Sequence, residues 1–174
     1  AVLCSGKSVQ QLQAVLLNAE AEQQALLFTR LPATHFRELG IGKGTLDYDD
    51  SSSTAFYQPE QHWVKPVACK IAVVTGGTTD IPVAKEAART LSFHGVQALE
   101  IYDVGVAGLW RIQEKLNVLR EQQIIICIAG MDAALPTVLA GLVPALVIAV
   151  PTSTGYGMAR GGETALNALL CSCA

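Results

Sequence analysis

From residue 70 onward, short apolar runs alternate with segments whose apolar positions recur every three or four residues. The runs predict strands at 70–75, 97–102, 123–129 and 146–150, and the segments between and after them predict helices at 80–93, 107–120, 132–142 and 159–171. Strands separated by helices at this spacing form a parallel sheet covered by helices on both faces through right-handed crossovers. The run Ala145-Leu146-Val147-Ile148-Ala149-Val150 has no polar position and reads as a strand buried on both faces. Upstream the pattern is looser. Ser8 is placed to cap a helix carrying Val9, Leu12, Val15, Leu16 and Ala19, a strand follows at 25–31, and 32–39 form a short helix. Thr45-Leu46-Asp47-Tyr48 and Thr54-Ala55-Phe56-Tyr57 suggest a hairpin, and 58–68, with Pro59 and Pro66, a linker. The expected architecture is α/β: a three-layer α/β/α unit with a parallel sheet over 70–174, preceded by a small αβ region and linker over 1–69.

Composition narrows the function. The 174 residues are 51% hydrophobic and 16% charged, enough to bury a core in one domain with a small appendage. A formal net charge of −3 argues against nucleic acid and anionic membranes, which call for clustered Lys and Arg. Residues 133–151 carry no charge, but Pro136, Gly141 and Pro144 interrupt them, so no membrane span is expected. The first residues lack a signal-peptide pattern. Five cysteines, an odd number without framework spacing, fit a reducing cytoplasm.

The loops after the four predicted strands carry the chemistry, and in an open parallel sheet they converge on one edge, where ligands bind. Thr75-Gly76-Gly77-Thr78-Thr79-Asp80-Ile81-Pro82 offers backbone N–H groups, two hydroxyls and a helix start, which suit a phosphate or carboxylate. Asp80 also reads as a simple N-cap ahead of Pro82. Asp132 and Asp103, each just past a strand, read either as site carboxylates or as caps. Cys171 and Cys173 read on their own as core residues, since a nucleophilic thiol needs an electropositive, partly exposed setting. His35, His62 and His94 show no metal-ligand spacing, and His94 before Gly95 suits a helix C-terminus. The opening Ala1-Val2-Leu3-Cys4-Ser5-Gly6-Lys7-Ser8 imitates a phosphate-binding loop, but Ala1 stands where its first glycine belongs. Gly155-Tyr156-Gly157 is not a dinucleotide fingerprint, because Arg160 occupies the third glycine position.

Five blocks in order carry a family resemblance: residues 75–88, Asp103-Val104-Gly105-Val106-Ala107-Gly108, Ala129-Gly130-Met131-Asp132-Ala133-Ala134-Leu135-Pro136, residues 150–157 and Leu170-Cys171-Ser172-Cys173-Ala174. They resemble the LarB family, the carboxylase and hydrolase of nickel-pincer cofactor biosynthesis. Its carboxy-terminal domain is similar to aminoimidazole ribonucleotide carboxylase and mutase and has a flavodoxin-like sheet. The resemblance implies a reaction on nicotinic acid adenine dinucleotide with CO2 or bicarbonate. A cysteine thiolate adds to the pyridinium ring, the resulting enamine attacks CO2, a carboxylate removes the ring proton and the cysteine leaves. Anhydride hydrolysis then gives AMP and pyridinium-3,5-biscarboxylic acid mononucleotide. By motif position the nucleophile is Cys173 and the carboxylate Asp132. Gly76, Gly77, Thr78, Thr79, Asp80, Asp103, Gly130, Met131, Ser153, Gly155, Tyr156 and Gly157 are the implied substrate-binding residues. The chain departs from the family at Thr75-Gly76, where a serine-alanine pair is usual, at Trp110 for histidine, at Asp132 for glutamate and at Cys171 for asparagine.

By this comparison the chain is a piece truncated at both ends of a cytoplasmic homo-oligomer, an octamer by resemblance. No organic cofactor is implied. Magnesium is a candidate for neutralising phosphate charge, although no ligand cluster stands out. Two alternatives stay open. One is purine chemistry, which resembles proton shuttling by a loop histidine where this chain has Ala134; the other is a nucleotide-binding module without turnover.

Overall fold

The computed structural model describes residues 1–39, 46–58 and 65–173. The amino-terminal part is a four-stranded sheet of β1 (Val2–Leu3), β2 (Leu26–Thr29), β3 (Leu46–Asp49) and β4 (Thr54–Tyr57) in the order β1-β2-β4-β3. Its helix α1 (Val9–Ala21) starts at a capping box: the Gln11 N–H donates to the Ser8 hydroxyl, and the Ser8 N–H donates to the Gln11 side chain. The residues that imitate a phosphate-binding loop thus begin a structural helix. Leu12, Leu16 and Ala19 of α1 pack on Phe28, Ala55 and Tyr57, as the helical spacing demands. The expected hairpin forms, with Leu46 opposite Tyr57 and Asp49 opposite Thr54. The short helix α2 spans Ala33–Glu38. Thr45, Pro59 and His62 lie outside the described residues.

The second sheet is wholly parallel, ordered β6-β5-β7-β8, with β5 (Ile71–Thr75), β6 (Leu99–Ile101), β7 (Ile124–Ala129) and β8 (Leu146–Pro151). Helix α3 (Ile81–Phe93) covers one face through Ala84 and Ala88, which meet Val73 and Ile128. The other face is covered by α4 (Leu109–Gln113), α5 (Leu116–Leu119), α6 (Ala134–Ala140) and α7 (Glu163–Leu170), whose Ile112, Leu119, Leu139 and Ala165 are fully buried. This is the three-layer arrangement that the alternating pattern predicts, in the strand order of flavodoxin-like sheets. Helix α3 also meets the first sheet. Phe93 packs on Phe56 at 5.4 Å between centroids, and Arg89 lies 4.1 Å from the Phe56 ring while its Nε donates to the Thr54 hydroxyl at 2.6 Å. Among the described residues, no helix is long and apolar enough to cross a membrane.

Three sequence expectations are corrected. β8 is an edge strand rather than one buried on both faces. Leu146 is 63% and Ile148 45% exposed, because among the described residues only β7 pairs with β8 and α3 reaches no further than Ile126 and Val150 on that face. The helix expected over 107–120 is two short helices. Its start is delayed by Gly108, at φ −132° and ψ 66°, and a turn separates α4 from α5. The helix expected from 159 starts at Glu163, since Arg160, Gly161 and Gly162 all take positive φ.

Candidate active site

In the order β6-β5-β7-β8 the chain crosses from β5 to one neighbour and later returns on its other side, so the loops after β5 and β7 part at their carboxyl ends and leave a crevice. The crevice here has a volume of about 210 Å³. From the residues singled out in the sequence it gathers Gly76, Gly77, Thr79, Asp80, Gly130, Met131 and Asp132. Gly105, Val106 and Ala107 form the wall on the β6 side, and Ala134, Leu135 and Thr154 contribute on the β7 and β8 side. Val106, Ala107 and Leu135 stand within the sequence blocks but were not singled out as site residues, because apolar side chains advertise no chemistry. Thr154, inside a block already read as a binding loop, was within reach.

Backbone hydrogen bonds fasten the loops together. Gly105 N–H donates to the Gly76 carbonyl at 2.9 Å, Met131 N–H to the Thr154 carbonyl at 2.9 Å and Thr152 N–H to the Ala129 carbonyl at 3.0 Å. Gly130 must be glycine for this closure, since a Cβ there would lie 2.2 Å from the Thr154 carbonyl oxygen. Asp80 completes the frame. Its carboxylate is 2% exposed and accepts from the Gly77 N–H at 3.2 Å and the Thr152 hydroxyl at 2.7 Å, linking the β5 and β8 loops. It makes no side-chain cap on α3, so the N-cap reading of Asp80 is replaced by a bridge.

These bonds also alter the expected anion cradle. The Gly76 N–H is spent on the Ile128 carbonyl and the Gly77 N–H on Asp80, which leaves the first helical N–H groups, at Thr78 and Thr79, as the loop's free backbone donors. No cation stands among the described lining residues, whereas two carboxylates do.

Asp132 is exposed, and among the described residues its Oδ1 accepts only a long 3.4 Å contact from the Ala134 N–H. Around it Met131 and Ala133 take φ of 55° and 47°. Asp103, at φ 56°, accepts an ion-paired hydrogen bond from Arg111 and donates its N–H to the Thr75 hydroxyl at 3.0 Å. With Arg160, this places four left-handed non-glycine residues in the loops of one sheet edge, each costing on the order of 1–3 kcal/mol. Strain concentrated in this way marks a site where geometry is kept for use.

Thr78, Asp103, Ser153, Gly155, Tyr156, Gly157 and Cys173 lie off the crevice lining. Tyr156 is 82% exposed. Cys173 is exposed just past α7, and its neighbour Ser172 shares a 2.9 Å hydrogen bond with Thr137 of α6, the helix whose first turn lines the crevice. The interior thiols are of another kind. Burial, with a contribution from the charge of Asp80, pushes Cys127 up to about 12, and burial pushes Cys4 up to about 11, so neither supplies a thiolate. Among the described residues no three His, Cys, Asp or Glu side chains gather to hold a metal ion.

Residues 70–172 match the family model for AIR carboxylase. Over 160 residues the chain is 34% identical to an uncharacterized protein, MJ0165, of Methanocaldococcus jannaschii, an alignment that takes in 88% of this chain. The chain spans 62% of the length of that relative. The five ordered sequence blocks, the crevice between β5 and β7 and the match over the whole parallel sheet lead to one assignment: the chain belongs to the AIR carboxylase family.

Proposed function

We propose that the chain carboxylates the pyridinium ring of nicotinic acid adenine dinucleotide with CO2 or bicarbonate and cleaves its anhydride, releasing AMP. The family suggests a carboxylase or mutase; the choice of substrate rests on the crevice. It is lined by two carboxylates, Asp80 and Asp132, with neither a cation nor a histidine among its described lining, and by the sequence resemblance Ala134 stands at the position of the histidine that shuttles protons in the purine reaction. Such a lining favours a planar cationic ring over a neutral aminoimidazole. At about 210 Å³ it takes a ring and part of its ribose, less than the 300–1,000 Å³ of sites that enclose drug-sized ligands, so the rest of a dinucleotide lies outside.

In the proposed reaction the Cys173 thiolate adds to a ring carbon, which neutralises the pyridinium and makes an enamine. The enamine carbon bonds to CO2, Asp132 takes the proton from that carbon, and expulsion of the thiolate restores the aromatic ring. Water then cleaves the phosphoanhydride. A thiolate suits the first and last steps because it both adds and departs readily. The reaction requires the segment after α7 to bring Cys173 over the first turn of α6. We also propose that the protein acts as a homo-oligomer, with exposed Leu146, Met158 and Leu170 in its interfaces, and a monomeric mass in solution would overturn this.

The test is mass spectrometry of the complete protein's products from nicotinic acid adenine dinucleotide and bicarbonate, beside a Cys173→Ala variant. AMP and a dicarboxylated pyridinium mononucleotide, both lost in the variant, are expected. Carboxylation of aminoimidazole ribonucleotide instead would assign the purine reaction, and inertness toward both would leave a binding module.

A further inference from the structure

We propose that a second cavity, between the two sheets, binds a free amino acid with an uncharged polar side chain. The cavity has a volume of about 220 Å³, shares no lining residue with the crevice and is independent of the reaction proposed there. Three separate stretches of chain build it. Lys85, Ala88, Arg89 and Ser92 stand at i, i+3, i+4 and i+7 of α3 and so share one face of that helix. Ala98 and Glu100, two residues apart at the β6 edge of the parallel sheet, share one side of their strand, and Asp49 joins from the end of β3 in the first sheet. The room exists because Ala88 and Ala98 present only a methyl group each where α3 lies over β6.

Four charged groups line this space, two of each sign, and among the described residues each keeps an unspent polar atom. Arg89 is held through Nε by the Thr54 hydroxyl and through Nη2 by the Asp47 carbonyl at 2.8 Å, which leaves Nη1. Asp49 accepts from the Ser52 N–H at 2.8 Å and the Ser52 hydroxyl at 2.6 Å through Oδ2, which leaves Oδ1. Glu100 accepts from the Tyr102 hydroxyl through Oε2, which leaves Oε1. Lys85 shares the cavity with both carboxylates, yet among the described residues it forms neither an ion pair nor a hydrogen bond. Its charge is still felt. Partial burial works the other way, but the Ser52 hydrogen bonds and the charges of Lys85 and Arg89 hold the Asp49 carboxyl below its usual range. Opposite charges that share a small cavity without pairing leave a gap for a ligand that carries both signs. A lone anion would meet two carboxylates and a lone cation would meet Lys85 and Arg89, whereas the carboxylate and ammonium of an amino acid answer both. Ser92 and Gln97 suit its neutral polar end: Gln97 Nε2 donates to the Ser92 hydroxyl at 3.4 Å, which leaves the Ser92 O–H and the Gln97 side-chain carbonyl to a ligand.

The test is calorimetry on the complete protein with L-serine, L-threonine, L-asparagine and L-glutamine as probes, beside butyrate and butylammonium, which carry one charge each. At least one of the four amino acids is expected to bind with a dissociation constant of about 1 mM or tighter, and neither single-charge probe to match it. Lys85→Met and Glu100→Gln should each weaken that binding at least about 10-fold, since each removes one charge-assisted contact. Ala98→Leu keeps every charge, fills the space and should abolish binding. Urea unfolding of each variant shows that it folds, and Arg89 and Asp49 are left unaltered because they tie the two sheets together. Asp132→Asn should leave amino-acid affinity unchanged. Binding of none of the four, equal binding of butyrate or butylammonium, or unchanged affinity in Lys85→Met, Glu100→Gln or Ala98→Leu would overturn the inference. Loss of binding in Asp132→Asn would overturn it as well, by placing the amino acid in the crevice.

Discussion

The loops after β5 and β7 are written in similar letters, a glycine and then an aspartate, and the fold uses them in opposite ways. After β5 the aspartate turns inward: Asp80 is buried, and both oxygens are committed to the Gly77 N–H and the Thr152 hydroxyl. After β7 it stays outside: Asp132 is exposed, holds one long contact to Ala134, and is flanked by the left-handed Met131 and Ala133. The first loop is a frame and the second a working edge. A buried carboxylate that accepts a hydrogen bond on each oxygen is held in place as a brace, whereas one held in a strained and sparsely bonded loop remains available as a base.

The sharpest way to break the comparison is Asp132→Asn. It removes the proposed base and only a weak contact, so turnover should fall by about 10²- to 10⁴-fold while stability stays within about 0.5 kcal/mol, as read from product formation and urea unfolding on the same samples. Unchanged turnover would cost the β7 loop its role. Gly130→Ala attacks the seam between the two halves of the site. A Cβ 2.2 Å from a carbonyl oxygen forces the backbone apart, with an expected loss of about 3 kcal/mol in denaturant unfolding.

Asp80→Ala strands a partly buried N–H and a buried hydroxyl. About 2–3 kcal/mol of stability should disappear, and ligand affinity should fall with it because the β5 and β8 loops separate. A variant that binds normally and unfolds normally would show that Asp80 is no frame. The smallest effect is expected at Met131→Gly, which relieves a left-handed residue on the exposed rim. Stability should rise by up to about 1 kcal/mol, measured by thermal unfolding, while affinity for the ring ligand drops.

Much of the frame was legible in the chain. The alternation after residue 70 gives the strands and helices their order, because burial of a parallel strand demands an apolar run and burial of a covering helix demands one apolar face. Where element boundaries slipped, backbone conformation overrode periodicity, as at Gly108 and at the left-handed Ala133 and Arg160. The composition of β8 correctly marked a strand but not its place at the edge, since pairing is a property of the sheet and not of the run.

For the site, the sequence by itself determined which residue types stand at the carboxyl ends of the strands, because chain connectivity carries every such loop to the same edge. Only the tertiary structure decided what each does there. It turned Asp80 inward and left Asp132 outside, spent the glycine N–H groups on neighbouring strands, and brought Arg111 to its partner Asp103, eight residues away. Hydrogen-bond partners are chosen by proximity in space, and that proximity exists only once the sheet has formed.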